Sequence, residues 1–170
     1  MKRWLFLDID GVLNKATYTG YPQGRAWIER RLVEQLNFLL QHVDHVVLSS
    51  DWRHQILSGQ MTLSGMHTLL SSHGIALTPG CCLWVEGQTG KLHGVTDARK
   101  ARFSSNAAMD RVGQIQRYIS EHLGPADRFV ILDDLDLHEY DAPSFVRVSP
   151  YSGLTAQDVG LALAHLGVQS

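Results

Sequence analysis

The stretch FLDIDGVL, residues 6–13, runs apolar and then ends in two aspartates one residue apart, with a glycine directly behind them. Residues 3–9 show little polar alternation, which is the pattern of a parallel strand covered on both faces. Side chains alternate along a strand, so Asp8 and Asp10 share a direction, Ile9 points elsewhere as core filler, and Gly11 lets the chain turn away tightly. A single aspartate in such a place is ordinarily a turn residue or a helix cap. What decides between that reading and a functional one is whether other strands end the same way.

Outward from this stretch, apolar residues recur every three or four positions from Trp27 to Val43 (Ile28, Leu32, Leu36, Leu39), which predicts a helix. His45 to Leu48 reads as a second strand, closed by Ser49 and Ser50. Met61 to Ser72 reads as a helix with Gly74 where a helix stop belongs, and Ile75 to Leu77 as a brief third strand. Residues 78–105 carry Pro79, Gly80, Gly87, Gly90 and Gly94 without periodicity and read as loop or irregular hairpin. Asn106 to Leu123 is helical again, with Val112, Ile115, Ile119 and Leu123 on one face and Gly124-Pro125 behind it. A fourth strand, Arg128 to Leu132, again terminates in aspartates: Asp133, Asp134 and Asp136. Phe145 to Val148 reads as the last strand, and Thr155 with Asp158 as a capping box opening a helix to about Leu166.

Strands alternating with helices specify an α/β fold: a mostly parallel sheet of about five strands with helices on both faces, three layers in all. At 170 residues, 44% hydrophobic and 19% charged, the chain suits one domain, residues 1–170, with no repeat or linker. In such sheets ligands gather at the carboxyl ends of the strands. The acidic ends of the first and fourth strands and the serine end of the second are therefore expected to meet in one cleft.

The net charge of -2 excludes a global basic field for polyanions, so any phosphate must be held locally. Lys2 and Arg3 before Trp4–Leu7 imitate a signal peptide, but Asp8 and Asp10 cut the apolar run short. No apolar segment approaches the roughly 20 residues that cross a bilayer, so no membrane association is expected. Adjacent Cys81 and Cys82 fit neither a disulfide framework nor a metal knuckle, and free thiols in a reducing cytoplasm are the expectation. Converging carboxylates repel one another until protonated or bridged by a cation, and a hard oxygen set without a histidine or cysteine cluster favours Mg2+ over zinc.

These residues resemble the motifs of the haloacid dehalogenase-like (HAD) phosphohydrolases. FLDIDGVL is similar to their first motif, VVLSSDW (46–52) to their second and VILDDLD (130–136) to their fourth. FLDIDGVLN, VLSSDWR, VILDD and SGLT (152–155) together resemble a capless subgroup, some members of which occur beside RNA-repair domains. The resemblance implies a Rossmann-like three-layer core without a large cap, and an Mg2+-dependent phosphatase working through an aspartyl-phosphate. It makes Asp8 the nucleophile and Asp10 the general acid and base. The metal falls to the Asp8 carboxylate, the Asp10 carbonyl and Asp133, with Asp134 outside them or bound through water and Asp136 the other acidic neighbour. Ser49 takes the second-motif hydroxyl, with Ser50 as competitor. The family's third motif supplies a cation before the fourth strand, and this chain has no lysine in that helix; Arg111, one turn before Ile115, is the leading candidate, Lys100 and Arg102 the fallbacks, and Arg117 is expected in solvent. Too little chain separates the motifs for a cap, so the substrate is expected to carry a large or exposed phosphate such as a nucleic-acid end. Trp52 is read as a stacking surface, Arg53 as a guanidinium for phosphate, and the loop KLHGVTDARKAR (91–102) as a backbone track, against plain core and solvated-loop roles. Two other readings stand beside it: a small-molecule phosphatase or nucleotidase with residues 78–105 as lid, and a non-catalytic phosphate-binding domain.

Overall fold

The computed structural model describes residues 1–15, 27–77, 83–85, 107–138, 142 and 144–168. Five strands, β1 (Arg3–Leu7), β2 (His45–Leu48), β3 (Leu83–Val85), β4 (Arg128–Asp133) and β5 (Phe145–Arg147), form one sheet in the order β3-β2-β1-β4-β5. Every pairing is parallel, with Leu7 level with Leu48 on one side and with Leu132 on the other. The described helices are α1 (Arg30–Leu40), α2 (Arg53–Leu57), α3 (Leu63–Ser72), α4 (Ala107–His122) and α5 (Ala156–His165). None of them is long and apolar enough to cross a membrane.

The near-continuous hydrophobicity of β1 follows from burial on both faces. Leu5 and Leu7 enter one core cluster with Leu32 and Leu36 of α1, Met66 and Leu70 of α3 and Val159 of α5. Trp4 and Phe6 enter the opposite cluster with Val112, Ile115 and Tyr118 of α4. Alternation at the level of the strand thus becomes two separate cores at the level of the fold, and the three layers expected from sequence are present. The capping box at α5 has formed: Thr155 Oγ1 accepts from the Asp158 N–H at 3.2 Å and Asp158 Oδ2 from the Thr155 N–H at 2.8 Å.

The third strand differs from expectation. Ile75–Leu77 is buried at its apolar positions but does not join the sheet, whose third strand is instead Leu83–Val85, inside the segment read as loop. The reason is non-local: Asn37 of α1 donates from Nδ2 to the Gly74 carbonyl and accepts at Oδ1 from the Ala76 N–H, both at 2.8 Å. A side chain from the neighbouring helix meets the backbone needs that a strand partner would otherwise meet. The five-residue helix α2 was also not foreseen, since residues 53–57 are too few to show a period. Cys81, Cys82, the basic loop 91–102 with Lys100 and Arg102, and all of the expected lid except Leu83–Val85 lie outside the described residues.

Candidate active site

The sheet's carboxyl edge is assembled by the ladder itself. The Asp8 N–H donates to the Leu132 carbonyl at 3.0 Å, and the Ser49 N–H to the Leu7 carbonyl at 2.9 Å, so the ends of β4, β1 and β2 stop at one level. There Asp8, Asp133 and Asp134 bring carboxylate oxygens within 4.8 Å of one another. Asp133 is wholly buried and Asp8 nearly so. Gly11 makes room for the third member: it sits at φ +79°, and a Cβ on it would lie 2.5 Å from the Asp134 carboxyl. Asp136, by contrast, turns to the surface and accepts from Arg147 at 2.6 Å.

Arg111 reaches this group from α4. It is buried, donates to Asp133 Oδ2 at 2.8 Å and to the Ser49 carbonyl, and stands 3.7 Å from Asp8 and 3.5 Å from Asp51. Arg117 is exposed on the opposite face of the same helix. One guanidinium does not balance so many carboxylates. Burial, with Asp133 close by, pushes the Asp8 carboxyl up to about 7, against the pull of Arg111 and of hydrogen bonds from Ser50 and Ile9. Burial and the Asp8 charge push Asp134 up to about 6. Asp133 is also raised by burial, although Arg111 and the Leu135 N–H oppose the shift. For Arg111 itself burial pulls downward, and the surrounding carboxylates outweigh it so that its guanidinium holds its proton more tightly. A cluster that must otherwise retain protons, with oxygen donors alone, suits a hard divalent cation such as Mg2+.

The two serines divide. Ser49 is held through its backbone, N–H on Leu7 and carbonyl on Arg111, whereas the fully buried Ser50 hydroxyl bonds the Asp8 carboxylate. Trp52, expected as a stacking surface, is only 7% exposed and packs into the α1/α3/α5 core, because the chain turns into α2 straight after Ser50 and carries the ring inward. Arg53 is likewise buried and donates to Gln114 of α4 at 2.5 Å, so its guanidinium is engaged within the protein rather than held out for phosphate. Asp10 is exposed, with one carboxylate oxygen accepting from Asn14 and the other from the Trp52 indole. Sequence reasoning passed over Asn14, Asp51 and Gln114. Asn14 lies four residues beyond Asp10 in the turn that follows the first motif, and that spacing was its only available signal.

A parallel α/β sheet with buried carboxylates and an arginine gathered at its carboxyl edge defines the class, a Rossmann-like domain with a candidate acidic metal site. The chain belongs to the HAD family: residues 4–159 match the family described as the HAD domain in Swiss Army Knife RNA repair proteins. Membership in that family implies phosphohydrolase chemistry. No curated protein and no solved structure matches the chain.

Proposed function

We propose that the chain is an Mg2+-dependent phosphatase that passes through an aspartyl-phosphate and acts on the exposed phosphate of a nucleic-acid end. The observation that carries the reading is the group of Asp8, Asp133 and Asp134 within 4.8 Å, with Arg111 against Asp8. Asp8, Asp133 and the Asp10 carbonyl would hold the metal, with Asp134 joining directly or through water. When bound, the cation supplies positive charge to the carboxylates and to the phosphoryl oxygens.

Asp8 attacks phosphorus, forming the Oδ–P bond as the bond from phosphorus to the leaving oxygen breaks. Asp10 gives that oxygen a proton, then takes one from the water that attacks the aspartyl-phosphate, and phosphate departs as Asp8 is restored. Arg111 offsets charge on the nucleophile before attack and on the phosphoryl group during it. A serine hydroxyl bonds a phosphoryl oxygen: the motif suggests Ser49, and the bond from Ser50 to Asp8 supports Ser50. Support for a large substrate comes from the family's printed association with RNA repair and from the exposure of Asp10. The single match across residues 4–159 supports treating 1–170 as one domain.

The test is phosphate release, with Mg2+, from terminally phosphorylated oligoribonucleotides and from a panel of metabolite phosphates. Faster turnover of the oligonucleotides is expected, and its loss in Asp8→Asn by a factor on the order of 10⁴ or more. Preference for a metabolite shifts the reading to a small-molecule phosphatase, and full activity in Asp8→Asn ends the mechanism.

A further inference from the structure

Asp10 stands exposed, yet both of its carboxylate oxygens are held by buried side chains from two different turns. Asn14 Nδ2 donates to Oδ1 at 2.7 Å, and Trp52 Nε1 donates to Oδ2 at 3.0 Å. Asn14 is 6% exposed and has a single workable orientation. Its Oδ1 accepts the Gly11 N–H at 2.8 Å, and its Nδ2 also reaches the Trp27 carbonyl at 3.2 Å. A backbone N–H only donates and a carbonyl only accepts, so the amide cannot flip without losing both bonds. Trp52 is fixed as firmly, with its ring in the core and its own N–H on Ser50 Oγ at 3.4 Å.

Bracing of the turn accounts for part of what Asn14 does, because its bonds to Gly11 and to the Trp27 carbonyl tie residues 11–14 to the segment before α1. It does not account for Trp52. The indole comes from the residue that opens α2, and it meets the oxygen of Asp10 that Asn14 leaves free. An exposed aspartate otherwise samples its rotamers freely. Here two donors meet its two oxygens and leave its carboxyl one direction, and Asp10 is the residue to which both Asn14 and Trp52 donate.

We propose that Asn14 and Trp52 are positioning residues for Asp10, aiming its carboxyl at the leaving oxygen and at the attacking water; the inference rests on the phosphatase reading above. Neither residue touches the reacting atoms. Both act by fixing the geometry of a proton transfer, where a displacement of about 1 Å costs on the order of 10²-fold in rate.

The leaving group separates this role from mere packing. Dinitrophenolate leaves phosphorus without a proton, whereas a ribose hydroxyl needs one from a general acid. Wild type, Trp52→Phe and Asn14→Ser are therefore compared with Mg2+ on dinitrophenyl phosphate and on a terminally phosphorylated oligoribonucleotide, and thermal unfolding confirms that each variant is folded. Trp52→Phe keeps the ring's bulk and removes the one N–H. Its kcat/KM on the oligonucleotide is expected to fall about 10- to 100-fold, and on dinitrophenyl phosphate about threefold or less, with the same inequality in Asn14→Ser. Equal losses on the two substrates in folded variants, or no loss on either, overturn the assignment while leaving the phosphatase intact. A wild type that binds Mg2+ and turns over neither phosphate overturns the phosphatase reading, and this inference with it.

Discussion

Carboxylates cap both edges of the same central strands, and the two sets face opposite surroundings. At the amino edge Asp127 accepts from the Lys2 N–H at 2.7 Å and the Gly124 N–H at 3.1 Å, while Asp44 accepts from the Arg3 N–H at 2.7 Å. Those backbone donors hold the Asp127 carboxyl below its ordinary range. At the carboxyl edge, about five residues along β1, Asp8 and Asp134 are pushed up to about 7 and about 6. The amino edge matches each carboxylate to a free N–H at a strand end, which relieves an unmet backbone group and costs little. The carboxyl edge sets carboxylates against one another away from water, which destabilises the metal-free chain and fits the cation and anionic substrate proposed for this edge. Acidic residues at a strand end thus separate into structural and functional kinds by what they face, not by their spacing.

The sharpest way to break this contrast is to remove Arg111, the cation that the described residues place within the carboxyl edge. Arg111→Ala leaves Asp8 and Asp133 buried without their partner, a change expected to destabilise the metal-free protein by about 3–5 kcal/mol. Loss of charge stabilisation at the phosphoryl group should lower kcat by about 10²- to 10³-fold. Denaturant unfolding in chelator and steady-state kinetics in Mg2+ read the two effects separately. Unchanged stability would mean that Arg111 is not what holds the buried carboxylates.

A smaller perturbation acts on the third carboxylate alone. Gly11→Ala puts a Cβ 2.5 Å from the Asp134 carboxyl and imposes φ +79° on a residue that disfavours it. Backbone strain there costs on the order of 1–3 kcal/mol. Displacing Asp134 should weaken Mg2+ binding about 10- to 100-fold, the usual cost of disturbing a ligand's support. Calorimetric titration of Mg2+ measures it, and unaltered affinity would show that Asp134 takes no part in holding the ion.

How far these edges are legible in sequence differs from residue to residue. An apolar strand followed at once by aspartate announces itself, so β1 and β4 and their acidic ends could be read directly, and Arg111 could be placed near them because it lies one helical turn from the buried Ile115. The capping box at α5 is a four-residue signal and is equally local. What escaped depends on partners distant in the chain. Asn37 keeps Ile75–Leu77 out of the sheet from about 40 residues away, and between a stacking surface and a core place for Trp52 only the packing of α1 and α3 decides, in favour of the core. Asn14 carried no periodic signal, since its three bonds depend on how one turn closes.

The two edges should also respond to pH with opposite signs. Asp8 holds its proton more tightly when folded than when unfolded, so between about pH 4 and 7 the native state binds more protons and its stability falls as pH rises. In chelator, the melting temperature of the wild type should therefore climb as pH is lowered from 7 towards 4. Asp8→Asn should reduce that slope, leaving the part due to Asp134 and Asp133. Saturating Mg2+ should flatten it as well, because a bound cation removes the reason for the proton. An identical slope in wild type and Asp8→Asn would contradict the repulsion inferred at this edge.

The smallest effect is expected at the amino edge, where it serves as the control for all the others. Asp127 has a lowered carboxyl, so its contribution is present above the unfolded value near 3.8 and is lost only as pH falls through the folded one. Asp127→Asn keeps an acceptor for the Lys2 N–H but gives up the charge, and it should lower the melting temperature by a few degrees at most at pH 7. Below the folded value, where the wild-type carboxyl is also neutral, the difference between the two should vanish. Turnover and Mg2+ affinity should not change, since Asp127 lies at the far end of β4 from Asp133. A loss of turnover in a folded Asp127→Asn protein would mean that charge at one edge is felt at the other, and the separation of structural from functional carboxylates along these strands would fail.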